Sequence, residues 1–180
     1  YWTVYIYPHS HVDIGYTNTQ ENVECIHKRN LDVAIELAEK TSGYPEDARF
    51  KWNPEVSWPV ERYLNSSDQE AKNKLINAIK SGQINLDAAY ISTNTSANSD
   101  EELLELFDFS KKMEVLTGRK VETMVQVDIP GLSWGIVPAS NFYGIKYCLS
   151  LFNGYDRTGF SDELSFKPFW WLGPVSYTHL

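Results

Sequence analysis

The chain has 180 residues, a net charge of −8, and 42 % apolar against 22 % charged side chains, the balance of a globular protein with a core to bury. The acidic balance leaves no basic surface for phosphates and argues against a nucleic-acid partner. No run reaches the ~18 apolar residues of a membrane span, so no membrane partner is expected.

The aromatic, apolar run at residues 1–7 predicts a buried first strand over about residues 2–7. Pro8-His9-Ser10-His11-Val12-Asp13-Ile14-Gly15-Tyr16-Thr17 follows, where a strand hands over to a loop. Asn18, with Glu21 three residues later, predicts the cap of a helix. The inward stripe expected of that helix is Val23, Ile26, Val33 and Leu37, which leaves His27 on an exposed face; Gly43 and Pro45 end it. A second strand is expected at 49–52. Asn53-Pro54 then reads as a cap with proline at the first helical position, in a helix carrying Glu55, Trp58, Glu61 and Tyr63. Ser67-x-x-Glu70 predicts a capping box for a helix closing at Gly82, and residues 84–89 read as a third strand.

Residues 90–98 are polar loop. Ser99-x-x-Glu102 opens a helix to Thr117, stopped by Gly118. A fourth strand at 123–127 ends in Asp128, Pro130-Gly131 turns the chain into a short helix ending near Gly144, and a fifth strand covers 146–152. The remainder, 153–171, reads as loop plus hairpin. Cys25 and Cys148 lie far apart without metal spacing and are expected as buried thiols. Asn65-Ser66-Ser67 and Asn94-Thr95-Ser96 match the N-glycosylation triplet. No signal peptide is visible, but the chain begins inside the expected first strand, so any leader would be lost; the compartment is left open, with a bacterial cytoplasm or periplasm slightly favoured.

Strands alternating with helices imply an α/β fold of parallel β/α units with right-handed crossovers. No linker divides the chain, so residues 1–174 read as one domain. Five strands do not close a barrel. The expectation is therefore a partial β/α barrel, incomplete at its C-terminal side, or an open sheet.

Ligands collect at the carboxyl ends of parallel strands, which is where His11, Asp13 and Asp128 stand. One imidazole nitrogen and two carboxylate oxygens suit Zn²⁺ with a fourth ligand still to be supplied. Taken alone, each has a plainer use: His11 and Asp13 can brace and cap the next helix, and Asp128 can cap the helix after its strand. His9-Ser10-His11 also offers the H-x-H of amidohydrolase-type metal enzymes, but no histidine stands between residues 28 and 178 to complete such a set. The high aromatic content, 14 % with six Trp and eleven Tyr, serves either a core or stacking on sugar rings.

His11-Val12-Asp13-Ile14-Gly15-Tyr16 and Gln126-Val127-Asp128-Ile129-Pro130-Gly131-Leu132-Ser133 resemble two N-terminal signatures of glycoside hydrolase family 38, the α-mannosidases: H-x-D-P-G-W, and later Q-I-D-x-x-G-x-S. Gly82-Gln83-Ile84-Asn85-Leu86 and Pro168-Phe169-Trp170-Trp171 resemble the family too, in the right order over nearly the whole chain. The resemblance implies a distorted β/α barrel and a zinc-dependent, retaining exo-glycosidase acting on an oligosaccharide or small α-mannoside. His11, Asp13 and Asp128 would bind Zn²⁺, and Asp128 would also be the nucleophile. Tyr16, in the place of the family's Trp, is a candidate floor beneath the sugar, with Trp170 and Trp171 as further substrate-binding aromatics; core packing is the other use of such rings. Ile14 stands where the family has proline, and Leu132 where a histidine is common. The family's remaining zinc ligand, a histidine, and its general acid, an aspartate, lie downstream of this stretch, and His179 is no substitute. The stretch is thus expected to be a fragment, inactive and poorly soluble by itself, with residues 175–180 a non-native tail. A non-catalytic sugar-binding remnant is the rival expectation.

Overall fold

A computed structural model describes residues 1–153 and 167–173. The chain falls into two units, Tyr1–Leu86 with Val115–Arg119, and Asp87–Glu114 with Lys120–Leu180.

The first unit is built on helix α1, Gln20–Thr41, with α2, Trp58–Ser66, and α3, Gln69–Lys80, both packed against it. Thr19 rather than Asn18 caps α1: its hydroxyl accepts from the Asn22 N–H, while Asn18 Oδ1 accepts from the Thr19 N–H at 2.8 Å. The buried face of α1 is Val23, His27, Leu31, Ala34, Ile35 and Ala38. This corrects the expected stripe, of which only Val23 is buried; Val33 is exposed. Counting large apolar residues misplaces the face because two alanines belong to it, and small side chains let neighbouring helices approach closely.

His27 is a second correction. It lies on the i, i+4 line between Val23 and Leu31, only 6 % exposed, with its ring edge-on to Trp58 at 5.9 Å. Burial lowers its pKa below the usual histidine value, against a hydrogen bond to the Val12 backbone and the charge of Glu55, which pull it up. The unfolded chain therefore takes up the proton first as pH falls. Above about pH 6.5 the neutral ring costs nothing, and stability is lost as pH drops from there toward the lower folded value. His27→Gln is expected to flatten this part of the stability–pH curve, measured by denaturant unfolding between pH 7 and 5; an unchanged slope would contradict the assignment.

Helix α2 starts at Trp58, later than expected, with Ser57 before it and proline in its first turn. Asn53 caps nothing: its N–H and its Nδ2 both donate to the Pro8 carbonyl, at 3.0 and 3.1 Å, and its Oδ1 accepts from Asn85 Nδ2. Asp68, not Ser67, caps α3 by accepting from the Ala71 N–H at 2.9 Å. Gly82 closes α3 at φ +74°, a backbone conformation that favours glycine; a Cβ there would sit 2.9 Å from the Arg119 guanidinium, a flexible group that can move aside. Gln83, buried behind it, donates from Nε2 to the Ala38 carbonyl at 2.8 Å and ties α1 to the turn.

The strands expected at 2–7, 49–52 and 84–89 do not form. Residues 1–7 are irregular, with Tyr1, Trp2, Val4, Tyr5 and Ile6 exposed. Of the other two, one parallel bridge remains: the Trp52 N–H donates to the Gln83 carbonyl and the Asn85 N–H to the Trp52 carbonyl. A strand exists through its ladder, and apolar composition cannot supply the neighbour. Cys25 is exposed, contrary to expectation.

In the second unit, Ser99 and Glu102 form the expected reciprocal capping box. The single helix expected after it is two, α4 at Asp100–Glu105 and α5 at Asp108–Thr117. At the break the Leu106 carbonyl accepts from the Tyr90 N–H at 2.8 Å, an outside donor competing for a helical acceptor. Strand β1, Thr123–Ile129, pairs in parallel with β2, Tyr147–Phe152, and helix α6, Ile136–Phe142, lies between them in sequence and packs on α4. Phe107, Met124, Ile136, Val137 and Ile145 are fully buried.

Beside β1, where residues 87–93 form no strand, side chains do the tethering. Asp87, 5 % exposed, accepts the Val125 N–H on both carboxylate oxygens at 3.1 and 3.2 Å, and the Ala89 N–H at 2.8 Å. Buried Gln126 accepts from the Thr93 N–H and donates to the Ile91 carbonyl. Burial, with the charge of Asp87 adding to it, pushes the Cys148 thiol of β2 up to about 12. The described architecture is thus mixed α/β with one two-stranded parallel sheet. Among the described residues no helix is long and apolar enough to cross a membrane. The expected hairpin falls mostly on residues 154–166, and His179 and the tail on 174–180; these lie outside the described residues.

Candidate functional site

Residues 8–13 of the first unit are irregular backbone, fastened where the Pro8 carbonyl accepts from Asn53. His9 and His11 meet one partner: His9 Nδ1 lies 2.8 Å from Glu55 Oε2, and His11 Nδ1 lies 2.6 Å from Glu55 Oε1. Glu55 sits in the turn before α2, with its side chain only 5 % exposed. His9 thus braces the loop against Glu55.

An ionised carboxylate only accepts, so both Nδ1 atoms act as donors to it. The second nitrogen of His11, Nε2, then faces Asp13 Oδ1 at 3.2 Å. A proton or a cation between them would satisfy both lone pairs. Bonds of 2.0–2.1 Å to a tetrahedral zinc put neighbouring ligand atoms about 3.3–3.4 Å apart. The nitrogen–oxygen pair in H-x-D therefore fits two corners of such a site, and the imidazole favours zinc over the all-oxygen preference of calcium or magnesium.

Asp128 belongs to the second unit, near the C-terminal end of β1. The ladder runs Val127↔Leu151 and then Ile129↔Phe152, so the register steps over Asp128. Its backbone takes φ 55°, in the left-handed region that costs most residues about 1–2 kcal/mol and Asp or Asn less. Such an interruption re-aims one side chain out of the pleat, and such devices gather beside active sites. Asp128 is exposed. The loop after it is held by the Ser133 N–H donating to buried Thr95 Oγ1 at 2.6 Å.

The structure thus brings His11 and Asp13 together in one unit and sets Asp128 at a strand terminus of the other. Tyr16, in the turn after Asp13, is 91 % exposed; Trp170 is exposed and Trp171 half-buried. Sequence reasoning missed Glu55, which it placed on a helix. No local signal marks it, because its meaning lies in contacts with His9 and His11, distant in sequence.

A family model described as the N-terminal domain of glycosyl hydrolases family 38 matches residues 1–176. Comparison with curated proteins gives no match. Among solved structures, an alpha-mannosidase from Enterococcus faecalis V583 is similar at TM-score 0.67 and 16 % identity, over 80 % of this chain and 16 % of that one. A glycosyl hydrolase family 38 protein from Enterococcus faecalis is similar at TM-score 0.67 and 17 % identity, over 97 % of this chain and 18 % of that one. A 4-alpha-glucanotransferase from Thermococcus litoralis shares the fold at TM-score 0.54 and 19 % identity, over 79 % and 21 % of the two chains. The chain therefore spans less than a fifth of the length of either Enterococcus protein. With the H-x-D stretch and the strand bearing Asp128 inside the matched residues, the chain belongs to glycosyl hydrolases family 38, in its N-terminal domain.

Proposed function

We propose that this chain is part of a β/α-barrel glycosidase that removes terminal α-mannosyl residues with retention, using zinc held by His11, Asp13 and Asp128. The observation that carries the reading is the family match over residues 1–176, which contains both the His11–Asp13 contact at 3.2 Å and the out-of-register Asp128. When bound, zinc supplies a grip on two sugar hydroxyls and helps the ring distort toward its oxocarbenium-like transition state.

Asp128 is proposed as the nucleophile. Its carboxylate attacks the anomeric carbon, a glycosyl ester forms, and the glycosidic C–O bond breaks; the departing oxygen takes its proton from an acid outside this stretch. Water then hydrolyses the ester, and two inversions amount to retention. Tyr16, Trp170 and Trp171 are proposed to meet the apolar faces of the sugar, a use that matches the exposure of Tyr16 and Trp170.

The complete gene product is expected to hydrolyse an aryl α-mannoside, to lose this on dialysis against a chelator, and to regain it with zinc. Equal turnover before and after chelation removes the metal from the reading, and no turnover on any aryl glycoside removes the enzyme.

A further inference from the structure

We propose that Glu55 is the positioning residue of this site: one buried carboxylate that holds His9 and His11 in the Nδ1–H form, so that His11 presents Nε2 toward the metal position. This rests on the zinc reading above, but its own observation is independent of it. Each oxygen of Glu55 meets a different imidazole, at 2.8 and 2.6 Å, and in both rings the atom met is Nδ1.

Neutral imidazole has one N–H, and the nitrogen that carries it cannot bind a metal. Free histidine exchanges between its two forms. At His11 the choice matters, because only Nε2 faces Asp13. The carboxylate makes that choice by accepting from Nδ1, and it also stops the ring from turning over. Carboxylate–histidine pairs of this type raise the basicity of the ligating nitrogen, and their loss typically weakens metal affinity about 10–100-fold.

Glu55 is well placed to be rigid. The turn that carries it is anchored by Asn53, whose two N–H donors hold the Pro8 carbonyl just ahead of the histidines. Helix α2 follows with Trp58, Val60 and Tyr63 buried. The two ends of the contact, residues 8–11 and 53–55, are thus clamped together by backbone as well as by side chain. His9 occupies the second oxygen of Glu55 and fixes the carboxylate plane, so that the first oxygen stays aimed at His11.

The test uses the complete gene product with ¹⁵N-labelled histidine, beside Glu55→Gln and Glu55→Ala. Long-range proton–nitrogen spectra of the metal-free protein read which nitrogen of His11 carries its proton, and a competition titration reads zinc affinity. The expected result is an Nδ1–H signature at His11 in the parent protein. It becomes a mixture in Glu55→Ala, with zinc bound about 10–100-fold more weakly and the melting curve still cooperative. Glu55→Gln keeps the shape but offers one acceptor and one donor, so one of the two histidines must switch form. An Nε2–H signature at His11 in the parent protein overturns the proposal, as does undiminished zinc affinity in both folded variants. A parent protein that binds no zinc overturns the zinc reading instead, while the proton position still decides the role of Glu55.

Discussion

Replacing Asp128 with asparagine is expected to lower turnover of an aryl α-mannoside by the complete gene product about 10⁴-fold or more, the scale on which hydrolases lose activity with their nucleophile. The choice of asparagine follows from the backbone. Asp128 has φ 55°, where asparagine is among the few residues that sit easily and alanine is penalised. Asp128→Asn therefore keeps the strand terminus and removes only the anionic oxygen. The carboxamide cannot form a stable glycosyl ester and is a poorer zinc ligand, so kcat and zinc affinity should fall together. Initial rates with zinc in excess separate the two: restored zinc occupancy without restored turnover marks the nucleophile. Turnover within about tenfold of the parent would leave Asp128 no role in bond breaking.

Helix ends were legible because caps are local chemistry. Ser99 and Glu102 are three residues apart and need only each other. Gly82 announces its own left-handed turn. Where competing local acceptors crowd together, as with Asn18 and Thr19 or Ser67 and Asp68, the cap lies one residue from the expected position. Strands were legible only where a neighbour existed. Residues 123–127 and 146–152 pair nearly as read, whereas the equally apolar run at 1–7 forms no ladder. The site divides in the same way. His11, Asp13 and Asp128 stand out as motif positions. Glu55 does not, because what gives it meaning is contact with histidines 44 and 46 residues earlier.

Asp87 tests whether β1 is held by side chains as well as by β2. Its carboxylate takes the Val125 N–H on both oxygens and the Ala89 N–H on one, and all three residues are buried. Asp87→Ala leaves those N–H groups facing apolar surroundings. An unsatisfied buried donor costs about 1–3 kcal/mol, so about 2–6 kcal/mol is expected for the two. For a chain of this size each kcal/mol moves the melting temperature roughly 2–4 °C, which predicts a fall on the order of 10 °C. Asp87→Asn keeps one acceptor and should fall about half as far. The consequence reaches the site, since Val125 lies three residues before Asp128 on the same strand. A loosened β1 lets the strand terminus wander, and a displacement near 1 Å at a reacting atom can cost about 10²-fold in rate. In the complete gene product, Asp87→Ala is accordingly expected to lower kcat at temperatures well below its melting point. If it melts with the parent protein, the β1–β2 ladder alone holds the strand, and Asp87 has no part in placing Asp128.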